Sequence, residues 1–587
     1  MESQVIQIEI NKRQVSVPPN TLIVDACKSA GFAVPTLCHM SGLCSNASCG
    51  VCVVEVEGAK SLIRSCVQKV SPGMKITTNS KRVLEARKTV VELLLANHPD
   101  DCLSCLRNQT CELQALAELV GVRTKPYKTT KRHKTPDNTS DAIMRDNAKC
   151  ILCGRCVAAC REIQGVSAID FTGRGIGTHI GTFMDRSLQN SVCVSCGQCT
   201  LVCPTGALTE RDESDAVLAA LQDPAKVVIV QTAPAIRASL GEALGMKPGS
   251  LVTGIMAAAL RRLGFRYVFD TQFTADLTIM EEGTELLERI TNGGVLPMIT
   301  SCSPGWINFI ETFYPELLPH LSTCKSPQQM FGALAKSWWA QKENIDPDKL
   351  VVVSIMPCTA KKHEAHREEM KDAYAWWQKQ GYSGAPFYDV DYALTTRELA
   401  RIIRRAGIDF ETLPEEDFDK PLGISTGAAT IFASTGGVME AALRTVYELV
   451  TKKPLPKLEL QDIRGLEGIK TAAVELNKQN VHVAVAHSLK NARTVLDEIK
   501  AGKSPYTFIE IMSCPGGCVG GGGQPLKTDW TSRKVRQEAI YKEDERLPLR
   551  KSHENPAVQE LYTVFLEKPL GHLSHELLHT HYTPRNV

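Results

Sequence analysis

Cysteine is where this sequence concentrates its chemistry: 22 of 587 residues are Cys, and 17 of those fall at or before position 203 in short repeated spacings. Repeated clusters of this kind bind metal in a reducing compartment, whereas a secreted scaffold scatters its cysteines into disulfide pairs. Cys38, Cys49, Cys52 and Cys66 read C-x10-C-x2-C-x13-C, three ligands on a Gly- and Ser-containing loop plus one remote thiolate. That pattern suits a [2Fe-2S] cluster, because soft thiolates hold iron and a loop lets them converge; zinc sites usually show two matched pairs. Cys27 and Cys44 fall outside it and read as bystanders. His98, Cys102, Cys105 and Cys111 read H-x3-C-x2-C-x5-C, a His/Cys3 set for a [4Fe-4S] cluster. Exchanging one thiolate for a neutral imidazole removes a negative charge and raises the reduction potential. Two copies of C-x2-C-x2-C-x3-C follow, at Cys150, Cys153, Cys156, Cys160 and at Cys193, Cys196, Cys199, Cys203. In such doubled runs the fourth cysteine crosses over. One [4Fe-4S] cluster then takes Cys150, Cys153, Cys156 and Cys203, and the other takes Cys193, Cys196, Cys199 and Cys160.

After residue 216 the texture changes. VVIVQT, RYVFDT, VLPMITS, LVVVSIMP, HVAVAHS and TFIEIMS are apolar runs that alternate with amphipathic helical segments. They predict a wound α/β domain with strands buried on both faces and its chemistry at strand ends. Three segments at such ends hold the remaining candidates: TSCSPGW at 300–306, MPCTAKKHE at 356–364 and EIMSCPGGCVGGGG at 510–523. Thiolates from distant loops would close one buried site, and Gly516, Gly517 and the glycines at 520–523 would let backbone approach a bulky group. The glycine run lacks the Lys-Ser/Thr of a phosphate-binding loop. A buried ammonium at Lys361 would need an anionic partner.

These segments resemble the three signature segments of the [FeFe]-hydrogenases, TSCCPxW, MPCxxKxxE and ExMxCxxGCxxGG, the second and third at every specified position. The front half resembles that family's accessory-cluster domains: a plant-type ferredoxin domain as in respiratory complex I, a His/Cys3 domain and a bacterial two-cluster ferredoxin. The resemblance spans nearly the whole chain. It implies an H-cluster, a [4Fe-4S] cubane joined through one cysteine sulfur to a di-iron unit with CO, cyanide and azadithiolate ligands. Carried over by motif, Cys358, Cys514 and Cys518 bind the cubane, Cys518 being the shared sulfur. Lys361 donates to a cyanide, Met512 packs against the bridge, and Gly516 and Gly517 flank the cofactor. One position departs from the family, whose first segment has two adjacent cysteines, the first relaying protons and the second binding the cubane. Here they are Cys302 and Ser303. Either Cys302 takes over ligation and the proton step is rerouted, which the preference of iron for soft ligands favours, or Ser303 binds as an alkoxide. Cys324, in LSTCKSP, reads as a buried structural thiol. The resemblance further implies a proton path through Glu282, Glu285, Ser322 and Arg289; Glu282 and Glu285 stand three apart on a helix and share a face.

Such ligands require an α+β multidomain chain. The expected order is an N-terminal β-grasp [2Fe-2S] ferredoxin-like domain at 1–79, a small helical His/Cys3 domain at 80–122 and a basic linker at 123–140. A two-cluster bacterial ferredoxin domain at 141–215 and a C-terminal α/β H-cluster domain at 216–587 follow. With 43% apolar and 22% charged residues and a net charge of +2, the chain has no global basic field for nucleic acid. No run approaches the roughly 18 apolar residues of a membrane span, and no secretory or twin-arginine leader is expected, so a cytoplasmic location is. The implied reaction is reversible H2 oxidation and proton reduction, with one [2Fe-2S] and three [4Fe-4S] accessory clusters conducting electrons. A GxGxxG motif between strand and helix is lacking, so electrons bound for NAD(P) would pass through a separate flavin-binding subunit. A stand-alone ferredoxin-linked or a sensory [FeFe]-hydrogenase shares most of these motifs. A complex I large subunit or formate dehydrogenase shares the front cluster motifs but has no need of the three signature segments, and an iron–sulfur assembly factor normally lacks the [2Fe-2S] domain. Dedicated maturation proteins would deliver the di-iron unit.

Overall fold

The computed structural model describes residues 5–129, 135–476 and 479–586; the first four residues and positions 130–134 of the expected linker lie outside them. Alternation in IQIEI and RQVSV produces the first hairpin, β1 (Ile6–Ile10) with β2 (Arg13–Val17), antiparallel across Asn11 and Lys12, both at positive φ. That is the turn geometry which matches strand twist. After helix α1 (Ile23–Ser29) come β3 (Val53–Val56), β4 (Ile63–Arg64) and β5 (Lys75–Thr77), and β1 pairs parallel with β5. The mixed sheet runs β2-β1-β5-β3-β4 and buries Ile8, Ile10, Val54 and Ile76 against Ile23 and Ala26 of α1. Cys27 belongs to this apolar core.

Helix α2 (Lys81–Ala96) starts where the Ser80 hydroxyl accepts from the Val83 amide, and it ends just before His98. Helix α3 (Glu112–Leu119) starts directly after Cys111. In the next unit β6 (Ile143–Arg145) pairs antiparallel with β7 (Leu208–Glu210) and ties the ends of the doubled cysteine runs together.

The alternation seen in the second half is realised as two four-stranded sheets. The first consists of β8 (Val227–Thr232), β9 (Tyr267–Asp270), β11 (Leu350–Met356) and β12 (Tyr392–Thr395) in the all-parallel order β9-β8-β11-β12. The second joins β10 (Met298–Ile299) to β13 (Ile469–Leu476), β14 (Gln479–His487) and β15 (Phe508–Met512) in the order β10-β15-β14-β13. Its β13 is an antiparallel edge strand that alternates exposed and half-buried residues over 471–475, which is why no apolar run announces it. Every residue of β11 is buried, with apolar clusters on both of its faces. Helix α4 (Gln272–Asn292), 21 residues long, crosses between the two sheets carrying Glu281, Glu282, Glu285 and Arg289. Among the described residues no helix is long and apolar enough to cross a membrane.

Candidate active site

Three of the four thiol sets that sequence spacing grouped are grouped in space. Cys38 lies within hydrogen-bonding reach of Cys49 and Cys66, and Cys52 of Cys66, all four buried. His98 is buried, its Nδ1 3.1 Å from the Pro99 carbonyl oxygen while Nε2 has no partner. Burial holds this imidazole below its ordinary pKa, hence neutral, so Nδ1–H donates and Nε2 keeps a lone pair for a metal. Two small cavities lie in the next unit. Cys150, Cys153, Cys156 and Cys203 line one of about 380 Å³; Cys160, Cys193, Cys196 and Cys199 line one of about 450 Å³. These are the crossed sets.

Each part of the front half touches the first of these cavities. The Asn46 amide, on the [2Fe-2S] loop, donates to the Cys153 carbonyl at 2.8 Å, and buried Arg107, between Cys105 and Cys111, donates to the Cys203 and Thr205 carbonyls. The second cavity abuts the catalytic half. Thr359 Oγ1 donates to the Ser195 carbonyl at 2.7 Å, and Gln198 Nε2 donates to the Gly520 carbonyl at 2.9 Å. Gly197 must be glycine here, since its φ is +70° and a Cβ would meet Thr359 Oγ1 at 2.3 Å.

Where β8, β10, β11 and β15 end lies a partly open cavity of about 730 Å³. Cys302, Ser303, Cys358, Lys361, Met512, Cys514, Gly517 and Cys518 all line it. Cys358 and Cys514 are within hydrogen-bonding reach of each other. Lys361 Nζ donates to Glu364 Oε2 at 2.8 Å and to the Cys302 carbonyl at 3.2 Å, so the last position of MPCxxKxxE aims the ammonium. The Glu510 carboxylate, which opens the third segment, accepts from the amides of Gly436 and Met439 at 2.7 Å each and anchors the start of helix α5 (Gly437–Thr451). Gly516, expected beside the cofactor, does not line the cavity; Gly517 does, yet its φ of +90° and the Thr435 amide, 2.5 Å from where a Cβ would be, explain it through backbone crossing backbone. Ser303 Oγ lies 2.8 Å from Ser513 Oγ and accepts from the Ser513 amide at 3.2 Å, beside Cys514. Burial pushes the Cys302 thiol up, and among charged groups Glu282 and Lys361 act on it most strongly.

Glu282 is buried, and neither carboxylate oxygen makes a well-formed hydrogen bond, although Ser322 and the Ser301 amide lie close. Burial, then the neighbouring Glu285, pushes it up to about 8. Ser322 Oγ donates to Glu285 Oε2 at 2.8 Å, and Arg289 pairs with Glu285 Oε1 at 2.6 Å. Cys324 is buried next to Glu285, 3.9 Å from Oε2. The three signature segments supply most of the cavity wall; sequence reasoning missed the rest, including Ala233 and Pro234 after β8, Pro327 and Gln328, and Phe432 with Val438. Gln328 donates to Lys361 and Glu364 while its own Oε1 stays buried and unpartnered. The buried, unpartnered Gln328 Oε1 in this otherwise apolar wall, with the thiols of Cys358, Cys514 and Cys518, fits a guest that binds thiolates and supplies a hydrogen-bond donor.

Residues 226–522 match the family "Iron only hydrogenase large subunit, C-terminal domain" and residues 531–585 match "Iron hydrogenase small subunit". In front of them, 3–81 match a 2Fe-2S iron–sulfur cluster binding domain, 87–126 the NADH-ubiquinone oxidoreductase-G iron–sulfur binding region, and 140–209 the ferredoxin-like domain of NADH-quinone oxidoreductase subunit 3. The NADP-reducing hydrogenase subunit HndD of Solidesulfovibrio fructosivorans is 50% identical over 99% of both chains. Iron hydrogenase 1 of Clostridium pasteurianum is 40% identical over 98% of this chain and 99% of its own. A solved structure of the apo [FeFe]-hydrogenase HydA1 from Chlamydomonas reinhardtii superposes with a TM-score of 0.57 at 44% identity, covering 64% of this chain and 100% of that one.

Proposed function

The chain belongs to the iron-only hydrogenase family, and from that premise we propose a residue-level account of H2 ⇌ 2 H⁺ + 2 e⁻ in it. The observation that carries it is the convergence of Cys358, Cys514 and Cys518 on one cavity, with Lys361 in its wall. When bound, the H-cluster supplies heterolytic cleavage of H2, and the accessory clusters supply one-electron stations.

Cys358, Cys514 and Cys518 would hold the cubane. For the fourth place, the neighbours of Ser303 support its oxygen, which sits against Ser513 beside Cys514, and the neighbours of Cys302 support proton handling between Lys361 and Glu282. Lys361, oriented by Glu364, would donate to an anionic ligand of the di-iron unit. Pro234, Pro327, Phe432, Val438 and Met512 keep the pocket apolar and dry, which strengthens each polar contact made inside it. Glu282 takes the proton from the Cys302 side; Ser322, bonded to Glu285, carries it outward. The crossed cysteine sets would hold two [4Fe-4S] clusters, and the N-terminal sets one [2Fe-2S] and one His-ligated [4Fe-4S] cluster. The second cavity, wedged against Cys358 through Thr359 and Ser195, would form the last step of the electron route.

The complex I-like front domains, with the NADP-reducing activity in the name of HndD, support a role as the hydrogen-activating subunit of a cytoplasmic assembly whose flavin subunit reacts with NAD(P). Ferredoxin as direct partner is the second reading. Maturation proteins would install the di-iron unit. Anaerobic infrared spectra of the matured protein test the site: CO and cyanide bands are expected together with dye-linked H2 uptake. Their absence despite co-expressed maturases would overturn the account. Viologen reduction by the isolated chain, with NAD(P) reduction only after flavin subunits are added, separates the two partner readings.

A further inference from the structure

Glu285, at the outer end of the Glu282–Ser322 relay, has two neighbours on its solvent side, and they differ in what they can do with a proton. One is Arg289, paired to it at 2.6 Å. A guanidinium does not release its proton in the working range of an enzyme, so Arg289 can hold the carboxylate but cannot pass a proton on. The other is a histidine pair in the C-terminal segment. Backbone pairing between Cys324 and His579 brings the buried His579 ring alongside, and Glu285 oxygen, Cys324 Sγ and a His579 ring nitrogen all lie within 4.8 Å of one another. That gap is one that the Cys324 thiol or a single water spans, and the thiol already points at Glu285 Oε2 from 3.9 Å.

His579 is placed by contacts at both nitrogens: Nδ1 to Thr323 Oγ1 at 2.8 Å and Nε2 to Glu281 Oε2 at 3.2 Å. Glu281 is itself fixed, accepting from Tyr562 Oη at 2.6 Å, the Leu570 amide at 2.8 Å and Ser574 Oγ at 2.9 Å. Because a carboxylate only accepts, Nε2–H of the neutral ring faces Glu281, which leaves Nδ1 to take up a proton from the Thr323 and Cys324 side. The resulting imidazolium is stabilised by the buried Glu281 carboxylate. The His579 ring centre then lies 4.6 Å from that of His575, on helix α6 (His572–Leu578), and His575 is exposed. Glu281, Glu285 and Glu288 are the charged groups that face this pair.

We propose that Glu285 is a branch point, and that His579 and His575 form a proton outlet to solvent beside Arg289. The step is a pure relay: the Glu285 carboxylic acid gives up its proton, His579 gains one at Nδ1 and becomes neutral again by giving up one N–H proton to the neighbouring His575 ring, and His575 releases one to solvent; the reverse order serves proton reduction. Imidazole, which can take a proton at one nitrogen and release one from the other, is suited to that exchange. The proposal rests on the Glu282 relay above.

The test uses the matured, full-length enzyme in dilute buffer. His575→Ala and His579→Gln are expected to lower turnover by about ten-fold, a smaller loss than removal of a sole acid–base group because the rest of the exit stays open. Added imidazole is expected to restore His575→Ala, where an exposed carrier is missing, and to leave His579→Gln low. Full turnover of both variants at low buffer would overturn the outlet, as would a His575→Ala loss that imidazole does not touch. Glu282→Gln separates the premise: if it turns over normally the relay itself fails, and if it is inactive while both histidine variants are normal only the branch fails. A second readout needs no turnover. In protein without the di-iron unit, the infrared titration of the Glu285 carboxyl, identified by its loss in Glu285→Gln, is expected to shift in His579→Gln; an unchanged titration counts against the outlet.

Discussion

His98 and Pro99 are adjacent in sequence, and the 3.1 Å contact between the imidazole Nδ1 and the Pro99 carbonyl leaves Nε2 as the nitrogen that would bind a cluster shared with Cys102, Cys105 and Cys111. A ligand held this way is neutral, and its replacement by cysteine adds one negative charge to the cluster. His98→Cys is therefore expected to lower the reduction potential of this centre, on the order of 100 mV, while the other centres keep theirs. A redox titration followed by electron paramagnetic resonance reads this directly. An unchanged or higher potential would mean that His98 is not a ligand.

Glu282 is a buried carboxyl beside Ser322 and Glu285, and burial with the neighbouring Glu285 pushes its pKa up to about 8, which suits it to hold and release a proton. Glu282→Gln preserves shape and removes the acid, so H2 oxidation and proton reduction should both fall about 10²-fold or more with cluster content unchanged. Ser322→Ala should act in the same direction more weakly, because the gap to Glu285 can be filled by water. Loss of iron in Glu282→Gln would instead indicate a structural role.

What the sequence made legible follows from locality. The C-x2-C runs and the His98 offset are fixed by a few residues of backbone, so spacing alone grouped the thiols that line each small cavity. The 21-residue helix that carries Glu282 and Glu285 was equally readable from its period. The apolar part of the large cavity's wall was not. Pro234, Gln328, Phe432 and Val438 sit in helical segments far from the three signature segments in sequence and carry no mark of their own; only the tertiary fold brings them to the cavity. The glycines at 520–523 were read for their cofactor, yet a Cβ at Gly521 would meet the Pro357 carbonyl at 2.2 Å and one at Gly522 the Cys196 carbonyl at 2.3 Å. They let three ligand-bearing loops interlock, a long-range demand that looks in sequence like a binding loop.

Asp276, on the same helix as Glu282, is fully buried among neutral partners: Thr426 Oγ1 at 2.7 Å, Asn555 Nδ2 at 2.9 Å and the Thr426 amide at 3.1 Å. Burial raises its pKa from the ordinary 3.8 to about 7. Below the unfolded value both states hold the proton and pH has no effect through this group. As pH rises toward the folded value the unfolded chain ionises and the folded one does not, so stability falls, by at most about 4 kcal/mol, and levels off above it. Asp276→Asn, whose amide can donate to the Thr426 hydroxyl, is expected to flatten that decline and to gain most near neutral pH. Thermal unfolding of the two proteins across this window checks it, and parallel curves would show that Asp276 is ionised in the fold.

The Cys302–Ser303 pair divides two jobs that the family gives to two cysteines, and single substitutions can tell which residue holds which. Ser303 Oγ is bonded to Ser513, next to Cys514, while Cys302 faces Glu282 and Lys361. On this geometry Cys302→Ser should keep the cubane, because no cubane ligand is lost, and should depress turnover about 10²-fold, because a hydroxyl is a poorer acid than a thiol in the proton step. Ser303→Cys should place a soft ligand where an oxygen stood and make the cubane of the unmatured protein more resistant to chelation, with a changed paramagnetic signature in the reduced state. If Cys302 is the ligand, the pattern inverts: Cys302→Ser loses iron from the catalytic half, and Ser303→Cys leaves the cubane spectrum as it was. Iron content and spectra of protein lacking the di-iron unit decide between them without reference to hydrogen turnover.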